Sequence, residues 1–184
     1  SQKSFKIGKE PNMPRADRKI DLKRLVVLPG LIDAHVHLRD EGKAYKEDFR
    51  SGTSAAATGG MTTVLDMPNN DPVTMSVETI KQRMSNAESK ILVNVGFYSE
   101  FPRDLKEIED ILKAGAIGFK LFMAEQVGGL NPDDNEVLRK AFGIIAKSGV
   151  PIAIHAEDKP TLQRTKEQLQ HAGHDQMSDF LIAH

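Results

Sequence analysis

The sequence contains no cysteine. That excludes a disulfide framework and a thiolate metal site, so any metal must be held by imidazole, carboxylate or a less usual donor. It has no surplus of either charge: 25 Lys and Arg stand against 26 Asp and Glu, for a net charge of −1 at pH 7. The electrostatic case for nucleic acid or an anionic membrane as the main partner is thereby removed. No apolar run approaches the roughly 18–20 residues that a membrane span needs, and Ser1-Gln2-Lys3-Ser4-Phe5-Lys6 lacks the apolar core of a signal peptide. A cytoplasmic address is the expectation. Neither G-x-G-x-x-G nor a Walker loop occurs, which weighs against nucleotide binding. What is present is 184 residues, 39% hydrophobic and 28% charged, about one domain of chain with enough apolar material for a core.

Residues 1–28 read differently from the rest. Polar, proline-containing sequence leads into Ile20, Leu22 and the run Leu25-Val26-Val27-Leu28, which suggests one or two short strands completed by chain elsewhere. From Pro29 onward the pattern is regular. Strands are expected over 31–38, 61–67, 91–97, 117–122 and 150–155, where short β-branched or apolar runs are bounded by turn residues. Helices are expected over 47–59, 77–88 with Ser76 as cap, 105–115, 137–149 and 161–170, with another opening at Gln176. Five alternations with short loops predict βαβ units around a parallel sheet. A closed (β/α)8 barrel needs about 250 residues, so two architectures are open: a five-stranded α/β domain, or the N-terminal part of a barrel.

Three places carry chemistry. His35-Val36-His37 falls at the end of the first strand, where alternation sends residues i and i+2 to one face. Two imidazoles on a rigid element suit a metal, although H-x-H also occurs by chance on solvated strands. Lys120 lies among apolar neighbours in Gly118-Phe119-Lys120-Leu121-Phe122. Either its head snorkels to water, or burial depresses its pKa and makes a neutral amine that can take up CO2 as a carbamate, an anionic ligand. His155 closes Ile152-Ala153-Ile154; alone it reads as a structural histidine. Together the four residues sit at the C-terminal strand ends where barrel enzymes place their sites. His171, His174 and His184 fall in polar or unplaced sequence and are not expected to be ligands.

The run Pro29-Gly30-Leu31-Ile32-Asp33-Ala34-His35-Val36-His37-Leu38-Arg39-Asp40 resembles the opening of the cyclic amidohydrolases, within the amidohydrolase superfamily. Gly52-Thr53, Ala55-Ala56-Ala57, Gly59-Gly60-Met61-Thr62-Thr63-Val64 and Asp66-Met67-Pro68-Asn69 continue the match in order, so that the resemblance spans residues 25–158. The H-x-H-L-R-D and M-P-N pieces are similar to the dihydroorotases more than to hydantoinases, dihydropyrimidinases or allantoinases. Substrate choice thus rests on Arg39, Asp40 and Met67-Pro68-Asn69.

The resemblance implies a (β/α)8 TIM barrel of the metal-dependent hydrolase type. Residues 29–184 would form its first five or so βα units, and residues 1–28 part of a small β-sandwich. It implies two Zn2+ per full-length subunit, with His35 and His37 on the more buried ion, His155 on the second, and Lys120, carbamylated by CO2, bridging both. Arg39 and Asn69 would bind the substrate carboxylate, for which a guanidinium fork is suited. A further histidine and the general-base aspartate are expected beyond residue 184. The implied reaction is the reversible cyclisation of N-carbamoyl-L-aspartate to L-dihydroorotate in pyrimidine synthesis, in a homo-oligomer that could assemble with aspartate transcarbamoylase. Two alternatives stand: a ring opener of the allantoinase or hydantoinase type, and an inactive amidohydrolase-like scaffold. The presence of all four ligands that this length allows favours an enzyme.

Overall fold

The computed structural model describes residues 8–173, 176, 178, 179 and 181. Strands β1 (Leu31–Val36), β2 (Met61–Asp66), β3 (Asn94–Glu100), β4 (Gly118–Phe122) and β5 (Ile152–His155) alternate with α1 (Phe49–Thr58), α2 (Val77–Glu88), α3 (Ile108–Lys113), α4 (Asn135–Ser148) and α5 (Lys159–His171). The strands form one parallel sheet in the order β1-β2-β3-β4-β5. Sequential order without a switch point is the winding of a (β/α)8 barrel, not of a doubly wound sheet. The chain folds as a five-stranded part of such a barrel.

Helix termini are set by local chemistry. Ser76 and Thr79 form a reciprocal capping box at the start of α2, Asp134 caps α4 through the amides of Glu136 and Val137, and Asp158 caps α5. Gly149 ends α4 in the left-handed region at φ 72°. The helices bury one face of the sheet: Phe49, Ile80, Ile108, Ile111, Ala141 and Ile145 pack on Val64, Phe97, Phe119 and Leu121. The other face of β4, carrying Gly118, Lys120 and Phe122, points away from that core and toward the barrel axis. Among the described residues no helix is long and apolar enough to cross a membrane.

Two expectations change. The third strand lies at Asn94–Glu100, three residues later than its apolar run suggested; Tyr98, Ser99 and Glu100 carry the ladder to β4. Residues 8–30 contain no strand among the described residues, only a 3-10 turn at Glu10–Asn12. Leu25, Val26, Val27 and Leu28 are exposed, because a strand forms only where a partner accepts its ladder and no described strand lies beside them.

Candidate metal and substrate site

The site is built at the C-terminal ends of the strands. His35 lies in β1 and His37 just past its end, with ring centroids 5.3 Å apart. His37 Nδ1 is 2.7 Å from Asn69 Oδ1, in the loop after β2. An amide oxygen only accepts, so Nδ1 carries the proton and Nε2 keeps its lone pair free for a metal. Burial lowers the His37 imidazole to about 4; Arg39, His35 and Lys120 push in the same direction, and the bond to Asn69 opposes them. Burial and then the Lys120 charge also lower His35. Both rings are held toward the neutral form that coordination requires.

Arg39 and Asp40 part company. Arg39 has φ 39°, and its Nη1 donates to the Asn69 carbonyl at 3.2 Å. Lys43 Nζ donates to the same oxygen at 2.9 Å. Asp40 turns into the helix layer, where its carboxylate accepts from Lys90 Nζ at 3.0 Å, Phe49 N at 3.3 Å and Glu41 N at 2.8 Å. Burial would raise this carboxyl, but Lys90 and the two amides outweigh it and hold it below its usual value. The Arg-Asp pair of the sequence therefore divides: Arg39 faces the candidate site and Asp40 belongs to the architecture. Next to it, Arg83 is clasped between the Phe49 and Phe97 rings; it donates through Nε to Asp66 Oδ2 at 2.9 Å and through Nη1 to the Asp40 carbonyl at 2.7 Å.

Lys120 is 1% exposed, which rules out a snorkelling head. Its Nζ lies 4.7 Å from the centre of the Phe122 ring. It is the register partner of Glu100 on β3 and of Ala153 on β5, so Glu100 shares its face. Burial lowers the Lys120 amine, opposed by Glu100. Burial likewise raises the Glu100 carboxyl to about 8, opposed by Lys120 and the Phe101 amide. Glu100 is 2% exposed, and its Oε1 has no hydrogen-bond partner. Gly128 closes over it: a Cβ there would lie 2.8 Å from Glu100 Oε2. Glu100 is the residue that sequence reasoning missed. Its signal was a carboxylate directly after Phe97-Tyr98-Ser99, at a strand end equivalent to those of His37 and Lys120.

His155 ends β5 as the register partner of Phe122, its ring 5.5 Å away. Its side chain is 47% exposed, with Nε2 3.1 Å from Glu157 Oε2. With Ala153 paired to Lys120 and His155 paired to Phe122, His155 falls on the face of the sheet that carries Lys120. The structure thus joins His35, His37, Asn69 and Arg39 directly, and sets a buried Lys120 and an exposed His155 on one face of β4 and β5. Among the described residues no three His, Asp or Glu side chains converge as a metal cluster. The fit to a metal rests on the paired neutral imidazoles, the tautomer set by Asn69, and a buried amine beside an unpartnered carboxyl oxygen. His171 is exposed, its Nδ1 2.7 Å from the Glu167 carbonyl, while His174 and His184 lie outside the described residues.

A sequence profile described as the amidohydrolase family matches residues 26–181. The chain belongs to the amidohydrolase family. Among its relatives in this family, a dihydroorotase from Methanothermobacter thermautotrophicus is 40% identical over 154 residues, covering 84% of this chain and 34% of that protein. An allantoinase from Arabidopsis thaliana is 41% identical over 152 residues, 78% of this chain and 30% of that protein. Among solved structures, an L-hydantoinase (dihydropyrimidinase) from Arthrobacter aurescens matches with a TM-score of 0.75 at 30% identity, covering 84% of this chain and 35% of that one. This amidohydrolase chain spans about a third of the length of the relatives it matches.

Proposed function

We propose that the protein is a metal-dependent cyclic amidohydrolase of the dihydroorotase type, interconverting N-carbamoyl-L-aspartate and L-dihydroorotate in pyrimidine synthesis. The observation that carries this reading is the cationic Arg39 beside Asn69 and the neutral His37 ring. A carboxylate on the ring substrate matches that cation; a neutral ring would leave it unused.

His35, His37, Lys120 and His155 would hold two Zn2+. When bound, the ions would supply Lewis-acid polarisation of the ring amide carbonyl and would lower the pKa of a bound water toward about 7. The remaining work falls to the chain. Asn69 fixes the His37 tautomer. Arg39 takes the substrate carboxylate and thereby sets the ring's orientation. Burial keeps the Lys120 amine inclined to lose its proton. The neutral nitrogen then adds to CO2: the N–C bond forms, one C=O electron pair moves onto oxygen, and the nitrogen's proton leaves to solvent. A general-base aspartate and a further histidine, from strands beyond β5, would complete the site. In the same reading residues 1–28 contribute to a small β-sandwich. The protein is a cytoplasmic homo-oligomer, and aspartate transcarbamoylase, whose product is the substrate, is its candidate partner.

A second reading is favoured by the 41% identity to an allantoinase: a ring opener acting on neutral rings. A substrate panel on the full-length protein decides between them. Dihydroorotate and carbamoyl-aspartate should turn over, and allantoin, hydantoin and dihydrouracil should be poor. Preferred turnover of allantoin would replace the first reading with the second.

A further inference from the structure

The proposed function uses Arg39 and Asn69 and leaves Lys43 without a role. Lys43 sits in the loop between β1 and α1, which is pinned against the loop after β2. Gly42 has φ 61°, and a Cβ there would lie 2.5 Å from the Asp71 carbonyl oxygen, so only glycine permits this approach. The contact delivers Lys43 Nζ to the Asn69 carbonyl at 2.9 Å, beside Arg39 Nη1 at 3.2 Å. Two formal positive charges therefore converge on one neutral oxygen.

Asp71, whose side chain packs against Gly42, forms no ion pair with Arg39 or Lys43, and the other nearby acids are committed elsewhere. Asp40 pairs with Lys90 at 3.0 Å, Asp66 with Arg83 through Nε at 2.9 Å, and Glu41 lies 3.6 Å from Arg83 while taking the Asn70 amide at 3.4 Å. Among the described residues neither Arg39 nor Lys43 has a carboxylate within ion-pair distance. Two cations sharing a neutral acceptor repel each other, and an anion arriving between them relieves that repulsion.

We infer that Lys43 is a specificity-determining residue: a second cation beside Arg39 that selects carboxylate-bearing rings and their ring-opened products over neutral cyclic amides. The inference rests on the substrate reading above for the identity of the ring, and on the Lys43–Asn69–Arg39 geometry for the charge selection. Arg39 offers a planar fork that fixes orientation; Lys43 adds a point charge that fixes sign.

The test is calorimetric binding to the full-length, metal-loaded protein, with orotate as a non-reacting carboxylated ring and uracil as its neutral counterpart. Wild type should prefer orotate. Lys43→Met should weaken orotate binding by roughly tenfold, the scale of one charge-assisted hydrogen bond, and leave uracil binding unchanged. Lys43→Arg should restore most of the preference. Raising the salt concentration should erode orotate binding in wild type more than in Lys43→Met. The inference is overturned if Lys43→Met binds orotate as wild type does. Equal weakening of both ligands overturns it too, since that is the signature of a residue that only closes the loop. The substrate reading fails separately: wild type that discriminates orotate from uracil through Lys43 yet does not turn over dihydroorotate keeps the charge selection and loses the proposed reaction.

Discussion

Two buried acid–base couples sit in neighbouring parts of this sheet, and they are treated in opposite ways. At the β1–β2 side, Asp66 and Arg83 are 1% exposed and closely paired; Asp66 Oδ1 accepts from Leu38 N at 2.8 Å, and the guanidinium is enclosed by two aromatic rings. At the β3–β4 side, Glu100 and Lys120 are equally buried and are register partners, but make no ion pair within 4.0 Å, and one Glu100 oxygen is left without a hydrogen bond. A buried charge that is paired and satisfied holds the fold together. One left unsatisfied on the barrel side of the sheet, on the face that carries Lys120, is a cost the structure carries where chemistry is expected.

That contrast is broken most severely at its satisfied end. In the full-length protein Arg83→Met should cost about 3–5 kcal/mol by urea unfolding, because the Asp66 carboxylate is then buried alone. Adding Asp66→Leu should recover most of the loss. If the single variant unfolds at the wild-type midpoint, the couple is not structural.

The unsatisfied end should appear as pH dependence. The Glu100 carboxyl is raised from 4.5 to about 8 in the fold. Its proton therefore favours the folded state fully below about pH 4.5, and that contribution disappears as pH rises through about 8. Between about pH 5 and pH 9, metal-free wild type should lose on the order of 2–4 kcal/mol more stability than Glu100→Gln. Parallel losses would mean that the carboxyl is already ionised in the fold. His37 acts with the opposite sign: lowered from 6.5 to about 4, it removes stability as pH falls through that interval. His37→Gln should flatten the acid limb.

A smaller effect is expected one bond away from the metal. Asn69→Ala frees the His37 ring to adopt the other tautomer, and metal affinity should fall roughly 10–100-fold, the usual cost of removing a partner that orients a ligand. Competition with a fluorescent chelator measures it, and unchanged affinity would move Asn69 from orienting His37 to binding substrate alone. Least of all should change with His171→Ala. That ring is exposed, and its Nδ1 lies against a backbone carbonyl of its own helix, so stability should stay within about 0.5 kcal/mol and metal content should not move.

Much of this arrangement was legible in the residues. The start of α2 agrees because Ser76 and Thr79 set its cap locally. The H-x-H pair, Lys120 and His155 could be placed at strand ends because alternation of strand and helix sets the direction of every strand. Three features were not legible, each for a physical reason. Ile91-Leu92-Val93 has the composition of a strand but precedes β3, whose ladder passes through Ser99 and Glu100, buried by Thr74 and by the Gly128 loop. Asp40 reads as one motif with Arg39, yet the positive φ at Arg39 sends the two side chains into different layers. The run at 25–28 is apolar enough for a strand, but pairing depends on a neighbour that local pattern cannot supply.

The central claim is that Lys120 is buried unpaired in order to serve a metal site, whereas Arg83 is buried paired in order to serve the fold. The most direct test is the metal content of the full-length protein, purified without chelators in bicarbonate, for wild type and Lys120→Met. Elemental analysis should give two divalent ions per wild-type chain, with native mass spectrometry showing the added CO2. Lys120→Met should fold with undiminished stability in the metal-free state and retain fewer than one ion per chain. A Lys120→Met protein that keeps two ions per chain, or a wild type that holds none, would contradict it.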